Sequence, residues 1–405
     1  MKKSILFALF GGILGATPVM AANYDLYLTG STAFRANAFT ACQKLYDGGL
    51  PANANNGTGA PASSDSRWTM SGTCATLGLT SGSDTLTIHA LWTGSVQGIS
   101  ALANKDQLVF LASAVSGNIT LKTNTASSCF SDVYSAPTLY PLSGSSFTEK
   151  EVCVQPFVFV KSVAPGGVQS INNVTWQQLQ YILANSIAPL SYFTGKASDA
   201  TTNIYLLHRT LDSGTRVTTV QEASYIGTIP IYYWDTTGNS FIVATTNRGP
   251  AIFGAGYVGG GDIKTVMQDP KSGNQSIAYL SIGDAKGITG TAWSQMVAFN
   301  GQYPIANFAP GLAAPYDYSP IINGKYSFWA YEMLDWPKSS QWTGSGYTDQ
   351  NLSFTQLNNI MNKLSGTGTG SVDNEVLLSE PGGATAIRLS EMTATRTAVG
   401  GPIAP

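Results

Sequence analysis

Charge is scarce in this chain. Of its 405 residues, 11% are Asp, Glu, Lys or Arg, against roughly 25% in an ordinary soluble domain. The 21 basic and 23 acidic residues leave a net charge of -2. No basic surface of any length is available to neutralise a nucleic-acid backbone, so no nucleic-acid partner is expected. Histidine is nearly missing: His89 and His208 are the two in the chain, too few for histidine-rich metal catalysis. No CxxC spacing occurs among the four cysteines, which argues against a zinc site, and no metal is expected. Long apolar runs are missing beyond the N-terminus, so no later segment reads as a membrane span. Disorder is excluded by the opposite abundance, since 43% of residues are hydrophobic and 11% aromatic.

Residues 1–22 read as an export signal. Lys2 and Lys3 form a positive start, Ile5 to Ala16 is apolar, and Val19-Met20-Ala21 carries small or medium residues where cleavage is decided. Cutting after Ala21 or Ala22 leaves a periplasmic or secreted protein. Cys42, Cys74, Cys129 and Cys153 are an even number in an exported chain, so disulfides are expected. Neighbour pairing, Cys42 with Cys74 and Cys129 with Cys153, is the simplest of three connectivities.

Strand patterns alternate with helix patterns along the mature chain. The first unit is Asn23–Leu28, then the polar loop Thr29-Gly30-Ser31-Thr32, then apolar residues at helical spacing from Ala33 to Tyr46. Pro51 to Arg67 reads as a surface insertion. Thr85–Leu91 is a second strand, followed by the loop Trp92 to Gly98 and a helix. Gln107–Ser113 and Val154–Ser162 read as further strands. Thr175 and Gln178 form a capping box at the head of another helix. The strand Asn203–His208 leads into Arg209-Thr210-Leu211-Asp212-Ser213-Gly214-Thr215-Arg216 and a helix. A glycine loop ending at Asp262 precedes a helix, and Gln275–Ile282 is a strand. Tyr326, Phe328, Trp329, Tyr331 and Trp336 read as a packed seam or as a sugar-stacking platform. The last helix falls near Leu352–Leu364. The alternation predicts an α/β fold with largely parallel sheets flanked by helices.

Three times a strand runs into a Ser/Thr/Gly loop and then a helix, at Thr32, at Ser95 and at Ser213-Gly214-Thr215. A helix start carries unpaired N–H groups and a positive partial charge. Neighbouring hydroxyls add donors, and the ensemble suits an anion. Arg209 adds a guanidinium fork for a tetrahedral oxyanion. Each loop taken singly reads more readily as a helix cap than as a ligand site. Enzymatic readings lack parts. Asp212-Ser213-Gly214 has no second Asp-Ser-Gly or Asp-Thr-Gly to share a proton with, and Ser213 lies in no nucleophile elbow.

The order of these motifs resembles the periplasmic phosphate-binding proteins of ABC transporters, a divergent case of the type II periplasmic binding fold. The carrying residues are Thr29-Gly30-Ser31-Thr32-Ala33-Phe34, Gly94-Ser95, Phe157 to Val160 with the Thr175–Leu183 helix, Arg209-x-x-x-Ser213-Gly214-Thr215, the loop to Asp262, and Ile277-Ala278-Tyr279-Leu280. The resemblance implies two lobes, with 23–155 in the first, 156–285 in the second and 286–405 returning to the first and forming a tail. It implies a monomer that captures a small inorganic, phosphate-like oxyanion without chemistry or cofactor, in partnership with an ABC permease. Its ligand contacts map onto Thr32, the backbone N–H of Ala33, Ser95, Arg209, Ser213, Gly214 and Thr215. Arg35, in the first turn after the first loop, departs from the family's usual residue. The family's aspartate acceptor is looked for after Leu111-Ala112-Ser113, where this chain has Ala114 and Val115. Asp132 and Asp212 are substitutes that nothing in the sequence places at the site. An exported scaffold with a degenerate ligand site is the alternative function.

Overall fold

The computed structural model describes residues 21–77, 83–244, 256–288, 294–313, 315–342, 347, 351–366 and 386–405. The leader read at 1–22 lies outside them except for Ala21 and Ala22.

Strand β1 (Asn23–Gly30) buries Tyr24, Leu26 and Leu28 against helix α1 (Arg35–Gln43). Strands β2 (Asn53–Asn55) and β3 (Arg67–Thr73) follow, so the stretch read as a loop from Pro51 contains a short edge strand. Strand β4 (Thr85–Leu91) pairs in parallel with β1 and feeds helix α2 (Ser95–Asn104). Strands β5 (Gln107–Leu111) and β6 (Leu121–Thr125) form a separate hairpin, after which β7 (Ser128–Ser131) pairs in parallel with β1.

Strand β8 (Phe147–Lys161) then crosses the molecule. It is followed by β9 (Asn173–Val174), α3 (Trp176–Asn185), β10 (Ile187–Pro189), α4 (Ser191–Thr194), β11 (Asn203–Leu207) and α5 (Gly214–Glu222). A hairpin of β12 (Tyr232–Asp235) and β13 (Ser240–Val243) precedes α6 (Gly260–Met267), β14 (Ser276–Ser281), α7 (Ile282–Lys286), β15 (Met296–Phe299) and α8 (Ser319–Ile322). Strand β16 (Trp329–Pro337) returns antiparallel along β8, and α9 (Ser339–Trp342) and α10 (Phe354–Leu364) follow.

The order β10-β11-β14-β8-β16-β7-β1-β4-β3-β2 makes one continuous sheet. The α/β architecture agrees with the sequence reading, but the sheet is mixed rather than largely parallel. Beyond the parallel neighbours of β1 and the β11–β14 pair, the crossing strands β8 and β16 run antiparallel to everything they touch in that order. The reason lies in β8 itself. Its 15 residues are long enough to pair with β16 at one end and with β14 at the other. It therefore belongs to both halves of the molecule.

Each half has its own core. Leu26, Leu28, Trp68, Ile88, Leu357 and Ile360 belong to the first; Phe159, Leu179, Ile204, Leu280 and Trp329 to the second. Met296, Phe299, Tyr318 and Phe328 also pack into the second core. The aromatic stretch from Tyr326 is a buried strand and not an exposed sugar platform, since every residue of β16 is buried. The capping box at α3 forms as read: Thr175 accepts from the Gln178 N–H, and Gln178 accepts from the Thr175 N–H.

The disulfide expectation is corrected. All four cysteines are free and buried. Cys129 lies on β7 and Cys153 on β8, with β16 between them. Strands two places apart are about 9–10 Å apart, beyond the reach of a disulfide. Burial raises the Cys74 thiol to about 12 and pushes Cys42, Cys129 and Cys153 up as well. Protonated, shielded thiols are poor nucleophiles. Alkylation of the native protein, read by mass spectrometry, is expected to modify none of the four within the time that modifies all of them after unfolding without reductant. A Cys129–Cys153 cross-linked peptide would contradict this arrangement.

Candidate functional site

The three loops meet where the two halves face each other. The first loop is set by Gly30, whose φ of +116° and whose contact with β7 exclude a side chain: a Cβ there would sit 1.9 Å from the Phe130 carbonyl oxygen. The Ser31 N–H donates to that same oxygen at 2.7 Å. Thr32 and Ala33, both half-buried, then turn the chain into α1. Arg35 opens α1 and is partly exposed.

The second loop is tied to the first, since the Gly94 N–H donates to the Gly30 carbonyl at 2.9 Å. It also reaches the other half. The Val96 N–H donates to the Asp212 carbonyl at 3.0 Å, and a Cβ on Gly94 would lie 2.7 Å from that oxygen. In the third loop Ser213 caps α5, accepting from the Arg216 N–H at 3.3 Å.

Arg209 follows β11 and is 2% exposed. Its Nη2 donates to Thr32 Oγ1 at 3.2 Å, across the boundary between the halves, and to the Val258 carbonyl at 2.9 Å. Its Nε, also buried, has no hydrogen-bond partner. Burial pushes the guanidinium below its ordinary value, while Asp284, Asp132 and Asp262 draw it back up. The backbone behind it is pinned: its N–H donates to the Tyr279 hydroxyl at 3.3 Å, and its carbonyl accepts from Arg216 Nη1 at 2.9 Å.

The residue that organises the site was not placed there by the sequence reading. Asp132 directly follows β7, two residues beyond Phe130 and the first loop's anchor. It is 2% exposed. One carboxylate oxygen accepts a short hydrogen bond from Ser95 Oγ, and the other accepts from Thr215 Oγ1 at 3.2 Å. The Asp132 N–H donates back to Ser95 Oγ at 3.2 Å. Burial raises the Asp132 carboxyl, opposed by the Ser95 hydrogen bond and the Arg209 charge. The position after Ser113 lies in the β5–β6 hairpin, and the carboxyl that stands at the junction is that of Asp132, just after β7. Asp212 contributes its backbone and not its carboxylate to the junction.

Of the residues singled out in the sequence, Thr32, Ser95, Arg209, Ser213, Gly214 and Thr215 are brought to this junction. Two of the expected donors, Ser95 and Thr215, spend their protons on Asp132. Ser213 serves as a cap. His208 is held away from the site chemistry, with Nε2 2.8 Å from Ser186 Oγ and Nδ1 3.2 Å from the Tyr279 hydroxyl. Burial, then Arg216, keeps it well below its ordinary value. His208 therefore pairs with Ser186 and Tyr279 and not with Ser213.

The arrangement is two halves joined by crossing strands, with the buried Arg209 guanidinium and the buried Asp132 carboxyl at the junction between them. No family sequence profile matches this chain, and no curated protein matches it. Among solved structures it is similar to an ABC-type phosphate transport receptor from Vibrio cholerae, at 13% identity and a TM-score of 0.42, covering 87% of this chain and 96% of that one. It is similar to a phosphate-binding protein from Stenotrophomonas maltophilia, at 14% identity and 0.43, covering 91% of each. An ancestral soluble variant of the human phosphate-binding protein matches at 12% and 0.45, covering 90% of each. At these values nothing those proteins bind passes to this chain by likeness.

Gly214 carries the closest approach in the site, since a Cβ there would lie 1.6 Å from Asp132 Oδ1. Gly214→Ala is expected to cost about 1–3 kcal/mol by overpacking, seen as a lowered melting temperature. Gly261→Ala, in the first turn of α6 with open space around it, is expected to melt at or slightly above the unaltered protein. Equal melting of the two variants would remove the close approach from the account.

Proposed function

We propose that this protein captures a small oxyanion carrying a proton, phosphate-like in shape and charge, in the cleft between its halves and releases it unchanged. The observation that carries this reading is the buried Arg209 guanidinium. Its Nη2 reaches Thr32 across the junction, and its Nε lacks a partner. A buried charged donor without an acceptor is costly unless a ligand supplies one. In this reading Arg209 supplies the charge, the Thr32 hydroxyl and the N–H groups near Ala33 and Gly214 supply further donors, and Ser95 and Thr215 hold Asp132. The Asp132 carboxylate accepts the proton of a hydrogen phosphate. A fully ionised sulfate has no proton to offer and meets a like charge instead.

Export belongs to the same reading. The apolar leader with its two lysines directs the chain across a membrane. Among the described residues no helix is long and apolar enough to cross one. The binder acts as a periplasmic or secreted monomer that hands its ligand to an ABC permease.

A second reading has one observation in its favour. Because Ser95 and Thr215 already donate to Asp132, the chain's own carboxylate occupies part of the cradle. A scaffold of the same fold, closed on itself with a degenerate site, would have this property. Calorimetric titration with phosphate separates the two, since a scaffold gives no binding heat.

Arg209→Ala is expected to weaken phosphate binding by about 1.5–3 kcal/mol, the scale of a hydrogen bond to a charged group. An unchanged affinity removes Arg209 from the site. Asp132→Asn is expected to narrow the preference for phosphate over sulfate, because the carboxamide offers sulfate a donor in place of a repelling charge. A preference retained in full by that variant would assign the discrimination elsewhere.

A further inference from the structure

A second carboxyl lies in the wall of the same site. Glu332 is on β16, with no exposed surface. The ladder between β16 and β7 pairs Asp335 with Cys129, Leu334 with Phe130 and Met333 with Ser131. One further step along that register sets Glu332 opposite Asp132. Neither oxygen of Glu332 has a partner at full hydrogen-bond geometry, although the Ser31 hydroxyl is near enough to favour its ionised form in part.

No cation faces it. From its own strand comes Asp335, whose Oδ2 accepts from the Cys129 thiol at 3.5 Å. From the end of β7 comes Asp132, and from the loop after β1 the Ser31 hydroxyl. From β8 comes the Cys153 thiol, directly across the ladder. The nearby glutamates of β8 are engaged elsewhere. Glu149 accepts the Ser135 N–H at 2.8 Å, and Glu151 accepts a short hydrogen bond from the Tyr134 hydroxyl. Arg209 acts on Asp132. An ionised Glu332 would therefore have only like charges, a hydroxyl and a thiol around it, in a place closed to water. Burial, then Asp132 and Asp335, pushes it well above the ordinary glutamate value.

We propose that Glu332 is a neutral carboxylic acid that couples anion binding to one proton: the site holds its anion while Glu332 is protonated and loses it when that proton leaves. The inference rests on the anion-site reading above and adds the group that sets its pH range. The coupling is reciprocal. A negative guest beside Asp132 makes the Glu332 proton harder to remove, so removing the proton must weaken the guest by the same factor.

The test compares the full-length mature protein with Glu332→Gln, which is isosteric and permanently neutral. Phosphate affinity is measured by calorimetry across a pH series. Phosphate's own ionisation acts on both proteins and cancels in the ratio of their dissociation constants. That ratio is expected to be near one at low pH. It should then rise, by up to about tenfold per pH unit for a single coupled proton, with the unaltered protein the weaker binder. A ratio independent of pH overturns the coupling while leaving the anion site in place. No phosphate binding by the unaltered protein at any pH overturns the anion site and the coupling with it.

Two ligand-free readouts stand beside this. Above about pH 4.3, the unfolded chain's glutamate is ionised while the folded one still holds its proton. The melting temperature of Glu332→Gln should therefore gain on the unaltered protein as pH rises from there. In the unaltered protein with 13C at the glutamate side-chain carboxyl carbons, one resonance should stay in its protonated form beyond the range of the others and be missing from the variant. Titration of every glutamate in the ordinary range overturns the proposal, whether or not the variant folds.

Discussion

The junction between the two halves depends on a buried carboxylate shared across it. Asp132 comes from the first half, accepts one hydrogen bond from the Ser95 hydroxyl of the same half, and accepts another from the Thr215 hydroxyl at the head of α5 in the second. A carboxylate taken out of water is costly unless hydrogen bonds and opposite charge replace the hydration it loses. Ser95, Thr215 and the charge of Arg209 supply that replacement, and they come from both halves. The closed arrangement and the ionised carboxylate therefore support each other. Gly214 follows from the same contact, because no side chain fits between α5 and the carboxylate.

The frame that makes this contact possible is the pair of crossing strands. β8 carries buried residues at both of its ends and pairs with strands of both halves, while β16 returns along it. Two cores thus share one hydrogen-bonded spine. The tail adds a further tie. Ile387 bridges Val154 on β8, and the Arg396 guanidinium donates to the Ser327 and Trp329 carbonyls while lying over the Trp329 ring. Val399 packs beside Ile99, Leu102 and Val133 of the first half. Gly400 lies against the Gln221 backbone of α5, where a Cβ would meet the carbonyl oxygen at 2.5 Å. The last residues of the chain therefore touch both sides of the junction.

How much was legible beforehand depended on how local the signal was. The strand–loop–helix units around Thr32, Ser95 and Ser213 could be read because each is a short run with its own turn chemistry, and the Thr175–Gln178 box because both partners lie within four residues. Asp132 could not be read. Its strand is four residues long and stands after the β5–β6 hairpin, which takes the place in sequence where the acceptor was sought. Glu332 was hidden inside a run of aromatics, where one acidic residue looks like a solvent-facing gap in a seam. The cysteine pairing failed for a related reason: adjacency in sequence says nothing of β16, which enters from residue 329 and lies between Cys129 and Cys153.

Composition, the α/β alternation and the three hydroxyl-rich helix starts were determined by the amino-acid sequence alone, because each rests on interactions between residues a few positions apart. Tertiary structure decided which carboxyls stand at the site, which hydroxyls donate to them, that the sheet is mixed, and that Cys129 and Cys153 lie two strands apart. Those outcomes depend on strand order, and strand order is chosen by burying two cores at once along a shared spine, a constraint that no local stretch of sequence contains.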